Sequence, residues 1–257
     1  MNAKDLKVSL KTDVIGNEIF CYESVLSTND TLFDFGLKGW HEGLCVLAEY
    51  QERGKGRQGR SWVSPKGKNL LLSVLLKPQK MAPTDASKIT LTAAVSVIRA
   101  IHKMMPTKLG IKWPNDIVHQ DKKIGGILTE MREKSGRIEF VVVGIGVNVN
   151  AESAELPPHS SSLYEISGHP WPRHELLKNL LEAFETDYRR LTAGDFEGLA
   201  RDWEEFSATS GKRIAVSLPD RKMEGRALGI DADGALWLRH DNGLQERILA
   251  ADIQHLR

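Results

Sequence analysis

Residues 109–150 read LGIKWPNDIVHQDKKIGGILTEMREKSGRIEFVVVGIGVNVN. The stretch holds strand-like runs, separated by Trp113-Pro114-Asn115-Asp116, Asp121-Lys122-Lys123 and Ser135-Gly136. Connections this short join antiparallel neighbours, because a parallel crossover needs a dozen residues or more. The stretch therefore predicts hairpins and an antiparallel or mixed sheet. Residues 141–149 are almost continuously apolar, as in a strand buried on both faces. Within that run Gly144 and Gly146 leave room on one face for something flat, and Asn148 offers an amide on the same face. Lys112, Asn115 and Asp116 gather at one strand end, and Lys123 opens the strand Ile124–Met131, so opposite charges meet at adjacent ends of a hairpin. The adjacent glycines Gly125 and Gly126 mark either a close approach of ligand or backbone, or a plain structural bulge. An ordinary Pro-Asn-Asp turn beside a core tryptophan is the plainer alternative for 113–116.

Upstream, Ile19–Tyr22 reads as a short strand followed by the helix-capping cluster Ser27-Thr28-Asn29-Asp30. Leu44–Tyr50 and Asn69–Leu76 are further apolar strands. Thr84 or Asp85 should cap a helix whose buried stripe is Ile89, Ala93, Val97, Ile101 and Met105. Downstream, Leu156–Pro172 is rich in Pro, Ser and His and reads as loop. An amphipathic helix carrying Leu176, Leu177, Leu180, Leu181, Phe184, Tyr188 and Leu191 follows, then a shorter one around Leu199–Phe206. Four short strands come next, Ile214–Leu218, Gly225–Ile230, Ala235–His240 and Glu246–Leu249, with Asp233-Gly234 and Asn242-Gly243 as hairpin turns. They suggest a small β-barrel, and a domain boundary near residue 210.

The chain has 257 residues, with 35 basic and 34 acidic side chains, for a net charge of +1. A surface built to coat nucleic acid or membrane would be far more basic. Two cysteines are too few for a disulfide framework, and the N-terminus lacks the apolar stretch of a signal peptide, so a cytoplasmic protein is expected. No His-rich metal motif and no G-x-S-x-G elbow occurs.

The near-neutral average hides a local excess. Between Gln51 and Lys68 there are six basic side chains and one acidic, net +5. Gly54, Gly56 and Gly59 spell a dinucleotide-binding fingerprint, but Trp62-Val63-Ser64-Pro65 follows instead of the helix that fingerprint must open. Either the loop is a solvated surface feature, or it is a mobile flap whose glycines let guanidinium forks close on phosphate.

Taken in order, Ser27-Thr28-Asn29, Gly54 through Trp62, Lys112 through Asp116, Lys123 with Gly126-Ile127-Leu128, and Gly144 through Asn150 resemble the biotin–protein ligases. The tail Gly225–Leu238 resembles the C-terminal domain of that family. The resemblance implies an α+β fold: a mixed or antiparallel sheet with helices, like a class II synthetase, over 1–210, and an SH3-like barrel over 211–257. It implies a ligase that adenylates biotin with ATP and Mg²⁺, then passes biotin to a lysine of a biotin carboxyl carrier protein such as an acetyl-CoA carboxylase subunit. By the same resemblance Lys123, Asp116 and Arg57 are catalytic. Ser27, Thr28, Asn29, Gln51, Lys55, Gly56, Arg57, Lys123, Gly125 and Gly126 bind biotin. Arg57, Arg60, Trp62, Lys112, Asn115, Lys123 and Asn148 bind the adenylate. Magnesium rides on the ATP phosphates, with no protein cage of its own.

Two positions depart from the family pattern. Lys55 replaces a commoner arginine, keeping charge but losing the bidentate fork, and Ala250-Ala251-Asp252-Ile253 replaces a Ser-Gly-acid-Val run. Repressor members carry a winged helix ahead of the first motif, which here begins at residue 27, so no DNA binding is expected. Some members form homodimers, and no apolar stripe marks such an interface here. A lipoate ligase on the same fold is the alternative enzyme. A nucleic-acid module is the alternative of another class, disfavoured because residues 211–257 hold eight basic and seven acidic side chains.

Overall fold

In a computed structural model, which describes residues 10–218 and 220–256, strands β3 (Leu70–Leu76) and β7 (Arg137–Val147) pair antiparallel at the centre of a seven-stranded sheet. The sequence reading of residues 1–7 lies outside the described residues. The other strands are β1 (Ile19–Tyr22), β2 (Cys45–Ala48), β4 (Gly110–Lys112), β5 (Asp116–His119) and β6 (Lys122–Lys134), in the order β1-β2-β3-β7-β6-β5-β4. Only β1 and β2 run parallel, so the sheet is mixed. Residues 109–149 thus supply four strands, divided at the three breaks. Trp113–Asn115 is a true chain reversal, which separates β4 from β5.

Side-chain alternation assigns the two faces of this sheet different work. Leu70, Leu72, Val74 and Leu76 of β3 and Val141, Val143, Ile145 and Val147 of β7 face one large core. That core is closed by α2 (Ala86–Met104), α4 (Arg173–Thr192) and α5 (Phe196–Glu205). On the opposite face Leu75, Phe140 and Val142 pack with Leu32 of α1 (Thr28–Leu37). Helix α1 lies close: a Cβ on Gly36 would come within 2.6 Å of the Phe140 ring. Because α1 covers only part of its face, the rest of β7, beginning at Gly144, is left for a site.

Helix boundaries follow local capping. Asp85 holds the N-cap position of α2, but its carboxylate accepts from the Ala82 amide, 3.3 Å behind it, rather than from the helix ahead. Helix α5 starts three residues earlier than the apolar pattern suggests, because Asp195 caps it through the Gly198 amide at 3.0 Å. The stretch 156–172 is not all loop. Ser162 caps the short helix α3 (Leu163–Ser167), which ends on Gly168 in the left-handed conformation.

The C-terminal strands are β8 (Arg213–Ser217), β9 (Lys222–Ile230), β10 (Leu236–Arg239), β11 (Gln245–Ile248) and β12 (Asp252–His255). Five strands form where four were expected. They make an antiparallel sheet in the order β11-β10-β9-β8-β12, in which the last strand returns to the first, the connectivity of a small SH3-like barrel. The sheet packs on the core at Trp113, 2% exposed, whose indole donates to Gly234 O at 3.3 Å. No helix among the described residues is long and apolar enough to cross a membrane.

Candidate active site

The floor of the site is polar and buried. Ser27, the N-cap of α1, is 1% exposed, Thr28 4% and Asn29 3%. The Thr28 amide and hydroxyl lie 2.8 and 3.0 Å from Gln51 Oε1. Ser73, fully buried in β3, places its hydroxyl 2.8 Å from Thr28 Oγ1 and 2.6 Å from Asn29 Oδ1. Asn29 in turn donates to Glu130 at 2.7 Å. A connected network of this kind holds its side chains in one arrangement, as recognition of a small polar head group requires.

Above this floor the glycine-rich segment forms a short hairpin. Trp62 N donates to Gly54 O at 2.8 Å and Gly56 N to Arg60 O at 2.6 Å, and Lys55 bridges to Ser61. Its tip turns through Gln58 and Gly59, both at positive φ. Lys55 is ion-paired with Asp30 and, at 3.7 Å, with Glu130. Arg57 Nη1 donates to Asn115 Oδ1 at 3.1 Å and to Ala251 O at 3.3 Å, and Arg60 pairs with Asp252 at 2.8 Å. Burial lowers the Arg57 pKa below the ordinary guanidinium value, and the Asp252 carboxylate opposes that shift.

Trp62 enters the cleft. A Cβ on Gly146 would meet its indole at 2.5 Å and one on Gly126 at 3.2 Å, so the flat group beside Gly146 is this ring, whereas a Cβ on Gly144 would meet the Asn29 amide at 2.2 Å. Its Nε1 is buried without a hydrogen-bond partner among the described residues. Lys123 Nζ sits 5.5 Å from the ring centroid and pairs with Asp116 at 2.7 Å. Asn115 keeps the 113–116 turn against β6: its Nδ2 donates to Ile127 O at 2.8 Å.

Two cavities meet here. The first, about 710 Å³ and open to solvent, is lined by Ser27, Thr28, Asn29, Gln51, Lys55, Gly56, Arg57, Arg60, Asn115 and Gly126. A second is lined by Lys112, Asn148 and residues 157–160. Trp62, Asp116 and Lys123 belong to both walls. Burial lowers the Lys112 pKa, against the pull of Asp116. The Asn148 amide is 3% exposed; it accepts from Asn69 at 3.1 Å and donates to Ser161 O at 3.1 Å, so it holds loop 157–161 against the sheet. Gly125 lies inside the sheet, where a Cβ would come within 2.9 Å of Gly146 O.

Sequence reasoning brings most of its candidates to one cleft but misses Ser73, Glu130, loop 157–161, Ala251 and Asp252. Ser73 had a signal, as the lone polar residue of Leu70–Leu76. Loop 157–161 also had one, its prolines, but no periodicity ties it to Lys123, whose amide donates to His159 O at 2.8 Å.

Residues 21–148 match the Biotin/lipoate A/B protein ligase family and residues 209–256 the Biotin protein ligase C terminal domain. The bifunctional ligase/repressor BirA of Bacillus spizizenii is 32% identical over 258 residues, spanning 99% of this chain and 79% of that protein. The biotin–[acetyl-CoA-carboxylase] ligase of Mycobacterium tuberculosis is 30% identical over 220 residues, 84% of this chain and 80% of its own. Among solved structures, the biotin protein ligase of Aquifex aeolicus in complex with biotin and ATP superposes with a TM-score of 0.80 at 26% identity, covering 93% of this chain and all of that one. The chain is therefore a member of the biotin/lipoate protein ligase family, on its biotin protein ligase branch.

Proposed function

We propose that the cleft joins biotin to ATP and then to a carrier lysine, with the two cavities dividing the work. The observation that carries this reading is the position of Lys123, Asp116 and Trp62 in the shared wall, where a carboxylate from one side meets a phosphate from the other. Biotin's ureido head fits the Ser27–Thr28–Asn29–Gln51 floor, which presents donors and acceptors together. Its valeryl chain runs along Trp62, and its carboxylate ends at Lys123.

In the first step a carboxylate oxygen attacks the α-phosphorus of ATP, the bond to the β-phosphate oxygen breaks, and pyrophosphate leaves. Carboxylate and triphosphate repel each other, and fixed cations offset that repulsion in the transition state. Lys123 and Arg57 supply them, with Arg60 on the hairpin. The unpaired Trp62 indole N–H is a donor available to the bound adenylate. Mg²⁺ would ride on the triphosphate oxygens, where it would neutralise charge.

In the second step the carrier lysine attacks the acyl carbon, the anhydride C–O bond breaks, and AMP leaves. A free lysine has a pKa of about 10.4 and is almost wholly protonated at neutral pH. Asp116, 28% exposed, accepts its proton, released from Lys123 once that ammonium turns to the phosphate. The partner is a biotin carrier domain, of an acetyl-CoA carboxylase by the names of the relatives. The reading includes a homodimer, as in some members of the family, and no DNA binding, the latter supported by the balanced charge of residues 211–257.

The test is incubation with ATP, a carrier domain and an equal mixture of biotin and lipoate. A carrier mass raised by one biotin less one water is expected. Modification by lipoate, or none, overturns the reading.

A further inference from the structure

The cationic hairpin is held from two sides. Lys55 ties one flank to Asp30 and Glu130 of the core. The other flank rests on the C-terminal sheet: Ala251 O accepts from Arg57 and the Asp252 carboxylate holds Arg60. Arg60 is fixed a second time within the hairpin, since its Nε donates to Arg57 O at 3.1 Å. Asp252 opens β12 and is anchored by pairing with Ser217 of β8, so the latch stands on a sheet edge.

This also accounts for the atypical segment. Ala251 contributes only its backbone carbonyl, which any residue supplies, whereas Asp252 contributes its side chain. We propose that Asp252 is a positioning residue, which latches the glycine-rich hairpin over the cleft through Arg60 and thereby governs retention of the acyl-adenylate. A guanidinium has five N–H donors, so the two that Arg60 spends on Asp252 and Arg57 leave others for phosphate. Retention of the adenylate rests on the function proposed above; the latch itself does not.

The hairpin carries its own reporter, because Arg53, Lys55, Arg57 and Arg60 are trypsin sites. Nicking of the native protein tracks the population of the undocked hairpin. The pair is exposed, Arg60 at 60% and Asp252 at 31%. Exposed pairs are worth up to ~1 kcal/mol, or about fivefold. In substrate-free protein, Asp252→Ala should raise the rate of cleavage between residues 53 and 60 by about fivefold, with Asp252→Glu close to wild type. Biotinyl-AMP should leave Asp252→Ala faster by about the same factor, with the rate of its formation at saturating ATP within twofold of wild type. Thermal unfolding shows whether the sheet stays folded, and where Asp252→Ala unfolds it, the isosteric Asp252→Asn carries the comparison. Equal nicking of wild type and the folded variant overturns the latch. Wild-type protein that forms no biotinyl-AMP overturns the function instead and leaves the nicking result standing.

Discussion

Ser73→Ala removes one hydroxyl beneath the cleft and tests whether the floor recognises biotin through a preset network. Ser73 is fully buried, and its proton can go to only one of its two neighbours. Asn29 Oδ1, at 2.6 Å, is the nearer. Without the hydroxyl, that oxygen is left buried and unpaired, at a cost of about 1–3 kcal/mol. Taken as about 2 kcal/mol, the loss lowers the melting temperature by roughly 6 °C for a chain of this size. The Asn29 amide can recover part of this by turning toward another donor, which shifts the Thr28 hydroxyl on Gln51 as well. Biotin then meets a misaligned floor. A mismatch of ~1.4 kcal/mol is tenfold in affinity. The assay is biotin-dependent ATP–pyrophosphate exchange: KM for biotin should rise roughly tenfold, with KM for ATP and kcat within twofold. A variant with a lowered melting temperature and an unchanged KM for biotin would falsify the recognition role and leave Ser73 a purely structural residue.

Lys123→Ala removes the cation at the junction of the cavities, and exchange should fall by about 10²-fold or more; exchange at the wild-type rate removes Lys123 from the chemistry. Asp116→Asn keeps a contact to Lys123 but no basic oxygen. Transfer from preformed biotinyl-AMP to the carrier should drop by about 10²-fold, more than adenylation does, and an intact transfer rate refutes the proton acceptor. His255 offers a pH test. Its side chain is 10% exposed, Nε2 is buried without a partner among the described residues, and burial lowers its pKa although Asp121, 2.9 Å from Nδ1, opposes this. The unfolded chain thus binds the proton at a higher pH than the folded one. Stability is full above about 6.5 and falls as pH drops toward the folded pKa. His255→Gln should flatten the fall in melting temperature between pH 8 and 5.5; an identical slope in both proteins assigns the effect to another group.

What could be read from the sequence was what carries a local signature. Hairpin turns of fixed chemistry declared the sheet antiparallel or mixed, and the cluster Ser27–Asp30 declared the start of α1, because turn and cap preferences act over a few residues. Period two alone puts Gly144, Gly146 and Asn148 of β7 and its continuation on one face. The misses share a different cause. Ala251 meets Arg57 through a backbone carbonyl 194 residues away, which no side-chain pattern can announce. Strand β12 has alternation too short to separate from its surroundings, and exists by pairing with β8. Helix α3 is one capped turn inside a Pro- and Ser-rich stretch, below the length at which apolar periodicity can register. Asn148 could be picked out as polar on the right face, but only the fold reveals that its amide is spent on Asn69 and Ser161.

The charge excess of residues 51–68 takes on a different meaning once its partners are known. Lys55 faces Asp30, Arg60 faces Asp252, Lys66 faces Glu23 at 3.2 Å and Lys68 faces Glu155 at 2.6 Å. Those carboxylates come from α1, the C-terminal sheet and two surface loops, so most of the +5 serves to fasten the hairpin and its flanks. Arg57 differs. Among the described residues its guanidinium has no carboxylate partner, only the two carbonyl oxygens of Asn115 and Ala251. Neutral acceptors orient a guanidinium without cancelling its charge, and its partial burial strengthens the field it casts into the cleft. A cation held this way is preorganised for an anion that arrives later, whereas one already paired must first give up its partner. The local excess of charge therefore does two jobs, and partner chemistry separates them: carboxylates mark the cations that build the loop, of which Arg60 keeps spare donors for phosphate, and carbonyls mark the one whose charge no carboxylate offsets.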